Sequence, residues 1–390
     1  MTCLEFSAVL VNAGTFIALT VLLIWSTVHL FGGDGNEDGG NRWVNEEGQW
    51  DFELGPDGSD SIKVLYDLVV LIIASGAMFG PLCKGWDLGN GVYHKVNVGI
   101  IAGSTYMFSN MLLVSFWYMF DFDQRDNANM NYNNNYNYQN WEMDEKERLM
   151  YHRSVISFVS LAFGIVMMVM ALLISKEGVN LPEIDSSLIN AASPAREIRH
   201  AEEMEVARLA GNAAHLDMLS NSWHLLNAAT MTIFGALQIA TFFALGGEEA
   251  ERMIEEGQIY NLVAVTFWLL VVTGGISLTG HQTLGGNKWG GSMGAGALTG
   301  VTMCYALLLF MVSLLYSGSV FVERERNDAP ATSIALSIAC FFLSIFYLAF
   351  AKGTIKYRSS ITGAIPVQVE AVDDVGHDFV RVDGPGVELA

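Results

Sequence analysis

The side chains with the most scope for chemistry are the polar ones that interrupt long apolar stretches. A charge in an apolar, membrane-like environment is costly, so each one marks a candidate site for an ion, a proton or a substrate. Asp67 is the only full charge well inside such a stretch, and Lys63 precedes it by one helical turn. We therefore expect Asp67 to lie near a membrane surface and to pair with Lys63.

Other charge patterns that carry intramembrane function are missing from the sequence. No Lys lies deep in an apolar stretch, which excludes a retinal Schiff base. There is also no row of arginines as in a voltage sensor and no ladder of carboxylates for a proton relay. These absences argue against ion-coupled transport. They leave open a channel lined by carbonyl and hydroxyl groups.

The uncharged polar residues inside the apolar stretches are mostly small. Such residues let helices approach closely and form interhelical hydrogen bonds, so packing is the first interpretation of these side chains. A polar pathway for a small solute or ion is the second. The residues open to both interpretations are Asn12, Asp67, Ser109, Asn110, Asn227, Gln238 and Thr302.

Histidines near the ends of the apolar stretches could in principle bind haem or a metal ion. His29 and His152 fall near one predicted membrane face, and His94, His224 and His281 fall near the other. At helix ends an amphipathic ring is stable without a ligand, so we expect no metal site and no cofactor. The sequence also lacks a nucleophile elbow, a P-loop, a dinucleotide fingerprint and an HExxH motif, so we expect no catalytic residues and no enzyme activity.

The elements that must position these residues follow from composition and hydropathy. Hydrophobic residues make up 52% of the chain and charged residues only 16%, against roughly 25% charged residues in soluble domains. Since lipid offers the backbone no hydrogen-bond partner, we predict an all-α integral membrane protein with eight transmembrane helices. The predicted spans are 7–31, 62–82, 98–120, 154–175, 224–245, 260–279, 296–318 and 332–351.

The second half of the chain echoes the first. "LVNAGT" at residues 10–15 returns as "LLNAAT" at 225–230, and "YDLVV" from Tyr66 returns as "YNLVA" from Tyr260. The stretches "GIIAGSTYM" and "GALTGVTMC" open the third and seventh spans, and "SVISFVSLAF" and "SIALSIACFF" open the fourth and eighth. A unit with an even number of spans returns to its starting side, so we predict two similar four-helix bundles in parallel orientation.

Four regions follow from this internal repeat. A cytoplasmic linker is predicted to contain an amphipathic helix that begins near Ser193-Pro194 and runs into the fifth span. The acidic first loop and the Asn/Tyr-rich third loop are of low complexity and are predicted to be mobile. The regions are 1–175 for the first membrane unit, 176–222 for the linker, 223–351 for the second membrane unit and 352–390 for the tail.

The eighth span, "ATSIALSIACFFLSIFYLAFAKGTIKYR", resembles the last span of MARVEL-domain proteins of the physin and gyrin type. Those spans also begin with small residues, have a Ser/Phe-rich centre and end in basic residues. The fourth span, "SVISFVSLAFGIVMMVMALLISK", is similar. The resemblance implies a non-catalytic protein of membrane organisation or vesicle trafficking. The absence of paired external cysteines and the internal repeat depart from the family pattern. A channel or carrier with a cleft between the two bundles is the alternative function.

Orientation is predicted from Lys and Arg. The loops on the side of the N-terminus hold eleven basic and sixteen acidic residues, whereas the loops on the other side hold eight basic and twenty-four acidic residues. We therefore expect both termini in the cytoplasm of a eukaryote, with the chain in the plasma membrane or an endomembrane. The net charge of −21 argues against nucleic acid as a partner. The expected partners are membrane lipids, and either other membrane proteins or further copies of the chain.

The predicted topology can be tested with epitope tags. A tag on either terminus should be inaccessible to antibody in intact cells and become accessible after permeabilisation, because the basic residues hold both ends on the cytoplasmic side. A tag in the acidic segment 32–55 is the matched control for the opposite face. Labelling of a terminal tag without permeabilisation would contradict the topology.

Overall fold

Eight long helices account for almost all of the chain that the structure describes. The computed structural model describes residues 3–31, 56–87, 94–120, 145–180, 198–244, 258–284, 291–323, 331–356, 369–370 and 381–382. The helices are α1 (Cys3–Phe31), α2 (Pro56–Asp87), α3 (His94–Met119), α4 (Glu145–Val179), α5 (Ile198–Ala244), α6 (Gln258–Leu284), α7 (Gly291–Glu323) and α8 (Ala331–Lys356). Helices of this length and apolarity satisfy the backbone internally, as a membrane solvent requires.

Each helix contains a segment long and apolar enough to cross a membrane, which confirms the predicted number of spans. The segments are Phe6–Leu30, Ile62–Gly80, Lys95–Met119, Tyr151–Val179, Ala214–Phe243, Asn261–His281, Met293–Gly318 and Ala331–Lys356. Helix α5 continues unbroken from the predicted linker into the fifth segment, so the boundary drawn at residue 222 falls inside a single helix.

Two short strands are the remaining described elements. Strand β1 (Val369–Glu370) pairs antiparallel with β2 (Arg381–Val382), with Val369 opposite Val382. The helix start near Ser193-Pro194 and the two loops predicted to be mobile lie wholly or largely outside the described residues.

Helices α3 and α7 lie at the centre of the helical assembly. Their membrane segments are 83% and 72% buried, whereas those of α1 and α5 are each only 22% buried. Within the first half, α1 contacts α2 and α4, and α3 contacts the same two helices. In the second half α5 likewise contacts α6 and α8, and so does α7. The halves meet where α3 contacts α7, with further contacts between α2 and α7 and between α3 and α6.

Glycines bring the backbones of α3 and α7 into direct contact. A Cβ atom on Gly103 would lie 2.6 Å from the carbonyl oxygen of Ala297, and one on Gly300 would lie 2.5 Å from that of Ile100. One turn earlier, Gly99 and Gly296 face backbone atoms of the opposite helix in the same way. The two helices therefore run parallel and in register, each with a Gly-x-x-x-Gly motif of the kind that permits close helix approach in membranes.

Large apolar side chains cover the outer surfaces of the peripheral helices. Ile17 of α1 is 62% exposed, Leu172 of α4 is 63% exposed and Phe243 of α5 is 80% exposed. Apolar surface on this scale is unusual for a water-soluble monomer and typical of a surface that contacts lipid or protein. The core contains the aromatic side chains Phe108, Trp223 and Tyr305, all nearly inaccessible.

The close contact between α3 and α7 predicts that two Gly-to-Ala substitutions differ strongly in their effect on stability. Gly300→Ala places a methyl group against the backbone of α3, so the helices must separate. We expect the free energy of unfolding to fall by about 1–3 kcal/mol, as overpacking typically causes.

The matched control is Gly235→Ala in α5, where no atom lies within 4 Å of the added Cβ. This change should be neutral or stabilising by up to about 1 kcal/mol, because Ala favours the helix. Unfolding in detergent measures both free energies. An equal loss of stability in the two variants would rule out a special role for the α3–α7 contact.

Candidate functional site

The two matching asparagines of α1 and α5 make different interhelical contacts. Asn12 Nδ2 donates to the carbonyl oxygen of Ser75 over 3.3 Å, and Ser75 Oγ donates to Asn12 Oδ1 over 3.3 Å. Asn227 Nδ2 instead donates to the carbonyl oxygen of Trp223 in its own helix. Its Oδ1 accepts from the hydroxyl of Tyr347 over 2.9 Å. Asn12 therefore joins α1 to α2, whereas Asn227 joins α5 to α8.

Asn227 belongs to a polar network that connects all four helices of the second half. Tyr347 of α8 also lies 3.2 Å from Thr230 of α5, and its ring packs edge-on against Tyr305 of α7 at a centroid distance of 4.7 Å. The Tyr305 hydroxyl lies 2.6 Å from Thr273 of α6. Because the Thr273 hydroxyl donates to a carbonyl of its own helix, Tyr305 is the donor in this pair. Tyr347 lies 120 residues from Asn227 in the sequence, so the network becomes visible only once the helices are packed.

Asp67 is fully buried and accepts a hydrogen bond from α3. The hydroxyl of Ser115 in α3 donates to Asp67 Oδ2 over 2.8 Å, and Asp67 Oδ1 has no hydrogen-bond partner among the described residues. At the corresponding position of α6, the Asn261 Oδ1 atom is also buried without a partner. The carboxyl group thus links α2 to α3. Its predicted pairing with Lys63 stays a prediction.

Three further candidates bond mainly to carbonyl oxygens of their own helices. Ser109 and Asn110 both donate to Tyr106, over 2.6 and 2.9 Å, and Ser109 also lies 3.7 Å from the sulfur of Met168. Thr302 donates to its own helix in the same manner. All three are buried. Packing between helices was the first interpretation of these residues, but the hydrogen bonds of Asn110 and Thr302 run to carbonyl oxygens one turn back in the same helix.

Gln238 joins α5 to α6. Its Oε1 accepts from the hydroxyl of Thr266, which is fully buried and also lies within hydrogen-bond distance of carbonyl oxygens of its own helix. Of the seven sequence candidates, Asn12, Asp67, Asn227 and Gln238 thus link neighbouring helices through their polar atoms. The structure does not bring the seven together into one site.

An aromatic cluster at the ends of α1 and α4 contains a buried histidine. His152 is only 2% exposed, and its Nδ1 lies 3.0 Å from the hydroxyl of Ser26. The Trp25 ring stacks on His152 at a centroid distance of 4.0 Å, with His29 and Tyr151 at the cluster edge. His152 is thus a buried, packed ring near the start of α4. Its predicted position at the membrane interface stays a prediction.

The described residues contain no group of three or more His, Cys, Asp and Glu side chains arranged to hold a metal ion. They define an all-helical chain whose eight main helices are each able to cross a membrane, with polar groups that connect neighbouring helices. Comparisons of the chain with protein-family models, with curated proteins and with solved structures found no match.

The Ser115–Asp67 contact predicts opposite effects of two substitutions. Ser115→Ala leaves a buried carboxyl group without its donor, so we expect the free energy of unfolding to fall by about 1–3 kcal/mol. Asp67→Asn keeps an acceptor for Ser115 and removes the possibility of a buried charge, so it should be neutral or stabilising. Chemical unfolding in detergent compares the two. A larger loss for Asp67→Asn than for Ser115→Ala would show that the carboxylate itself is needed.

Proposed function

We propose that this chain is an integral membrane protein without catalytic activity that organises membranes or acts in vesicle trafficking. The observation that carries the proposal is the contact between α3 and α7. A carrier with a cleft between its halves needs a hydrated path that reaches mid-membrane depth. Here glycines bring the backbones of α3 and α7 together in the first third of their candidate membrane segments, which closes the space between the halves at that end. The described contact favours a static core over an alternating-access cleft.

The contact pattern also supports a tandem origin of the two halves. Exchanging α1–α4 for α5–α8 preserves the most extensive helix contacts, because α2–α7 becomes α6–α3, although the smaller α1–α3 and α2–α4 contacts have no counterpart of similar extent in the second half. Gly99 and Gly103 exchange with Gly296 and Gly300 under the same operation. Such self-complementarity is the signature of a two-fold interface. We propose two similar four-helix bundles related by rotation about the membrane normal, as the sequence echoes predict.

The buried polar groups favour a packing role. Asn12, Asn227 and Gln238 bond to neighbouring helices, and Ser109, Asn110 and Thr302 bond mainly to their own. Polar side chains that are satisfied in this way are unavailable to a passing solute unless those bonds break. The proposal agrees with the MARVEL-like character of the fourth and eighth spans, with both termini in the cytoplasm, and with lipids and membrane proteins as partners.

A channel or carrier for a small solute or ion is the second candidate. The observation in its favour is a set of buried hydroxyl groups on α3 and α4 that have no hydrogen-bond partner among the described residues. These are Thr105, Ser157 and Ser160. Unsatisfied buried hydroxyls are costly unless water reaches them, so a hydrated path along these helices would explain them.

Reconstitution separates the two functions. The purified chain in liposomes should carry no flux of common ions, and Asn110→Ala should lower stability only modestly, because the side-chain amide bonds to a carbonyl of its own helix. A pore-forming peptide added to the same liposomes shows that the assay detects flux. Robust flux that Asn110→Ala abolishes without a change in melting temperature would establish the carrier instead.

A positive test of the first function uses cells. Removal of the chain from its own cells should change the number or size of the vesicles in which the tagged protein resides, and the Asn110→Ala variant should restore them. Unchanged vesicles, together with changed ion or solute content of the compartment, would contradict the proposal.

A further inference from the structure

Two histidines from neighbouring helices face each other at one end of the assembly. The Nε2 atom of His224 in α5 lies 3.5 Å from the Nδ1 atom of His281 in α6. The ring centroids are 5.3 Å apart with an interplanar angle of 59°. Both side chains are exposed on the surface of the bundle, and His281 is the last residue of its candidate membrane segment, Asn261–His281.

The residues that precede the two histidines fix their positions. Trp223 is fully buried, and its Nε1 donates to the carbonyl oxygen of Ser277 in α6 over 3.2 Å. Its ring occupies the space beside Gly280, where a Cβ atom would lie 2.6 Å from the Trp223 Cζ2 atom. Since Trp223 and Gly280 come immediately before His224 and His281, their contact holds the two histidine backbones in place. The backbones of the two histidines are therefore held in position before any ligand binds.

The separation of the two nitrogens matches that of two imidazole ligands on one metal ion. With nitrogen atoms about 2.0–2.1 Å from a tetrahedral Zn²⁺, two ligand nitrogens are about 3.4 Å apart. The distance in this chain is 3.5 Å. Binding requires the exposed rings to rotate until both lone pairs point at a common ion.

We propose that His224 and His281 form a two-histidine site for a divalent first-row transition metal. Imidazole suits Zn²⁺, Cu²⁺ and Ni²⁺, and Cu²⁺ should bind most tightly by the Irving–Williams order. Water completes the coordination, because the described residues provide no group of three or more ligating side chains. The site replaces the sequence-based expectation that these two rings are only interfacial anchors. It does not depend on the proposed membrane function.

A metal bound to both rings would clamp α5 to α6. Any ligand that binds the folded state and not the unfolded state raises the stability of the protein in proportion to the logarithm of its concentration. The metal should therefore raise the unfolding temperature of the chain. A metal ion bound by only one of the two histidines would not connect α5 to α6.

The test uses the full chain, purified in detergent without a histidine tag, and Cu²⁺, Ni²⁺ or Zn²⁺ added alone. Each metal should raise the unfolding temperature of the wild type, and either His224→Ala or His281→Ala should abolish the rise. His215→Ala is the matched control, since nine residues earlier on α5 it lies on the opposite face of the helix. It should retain the full rise.

Electron paramagnetic resonance of the Cu²⁺ complex gives a second measurement that does not depend on unfolding. One equivalent of Cu²⁺ should show two nitrogen ligands in the wild type and in His215→Ala, and fewer in either site variant. Both histidines are exposed, so the metal-free variants should unfold near the wild-type temperature. The proposal is overturned if the wild type shows no metal-dependent rise, if either site variant keeps it, or if the spectrum is unchanged by both substitutions.

Discussion

The close approach of α3 and α7 determines where the other helices can lie. Four glycines in two Gly-x-x-x-Gly motifs let the two backbones come into direct contact. Since apolar side chains gain little from leaving lipid for a protein interior, dispersion contacts at this distance are the main attraction available. The six remaining helices then pack around this pair, and the burial of the membrane segments falls from α3 and α7 outwards to α1 and α5.

Polar groups add local connections to this apolar framework. Asn12, Asp67 and His152 each accept or share a hydrogen bond with a partner on a neighbouring helix of the first half. In the second half one chain of contacts from Thr273 to Asn227 joins all four helices. Individually such bonds are worth about 1 kcal/mol or less in membrane proteins. Their geometric specificity matters more, because an apolar surface alone fixes neither the rotation nor the register of a helix.

The sequence was sufficient to predict the spans, because bilayer thickness sets helix length and every span must be apolar. It could not predict the partners of the polar residues. Asn12 and Asn227 occupy matching motifs, yet one bonds to α2 and the other to α8, since small differences in helix rotation change the nearest acceptor. The sequence also did not identify Ser115 as the hydrogen-bond partner of Asp67, because the two residues are 48 positions apart. The contact of His224 with His281 depends on Trp223 and Gly280, whose complementarity appears only after the helices are packed.

The unbroken length of α5 affects how a tilt of this helix is transmitted along it. It contains 47 residues without a break, and the sixteen that precede its membrane segment, which starts at Ala214, extend about 24 Å beyond it. A spanning helix tilts when the bilayer becomes thinner, and an unbroken helix transmits that tilt to its far end. In a bilayer, the projecting part of α5 would act as a lever arm, which converts a change of bilayer thickness into a lateral displacement in the aqueous phase.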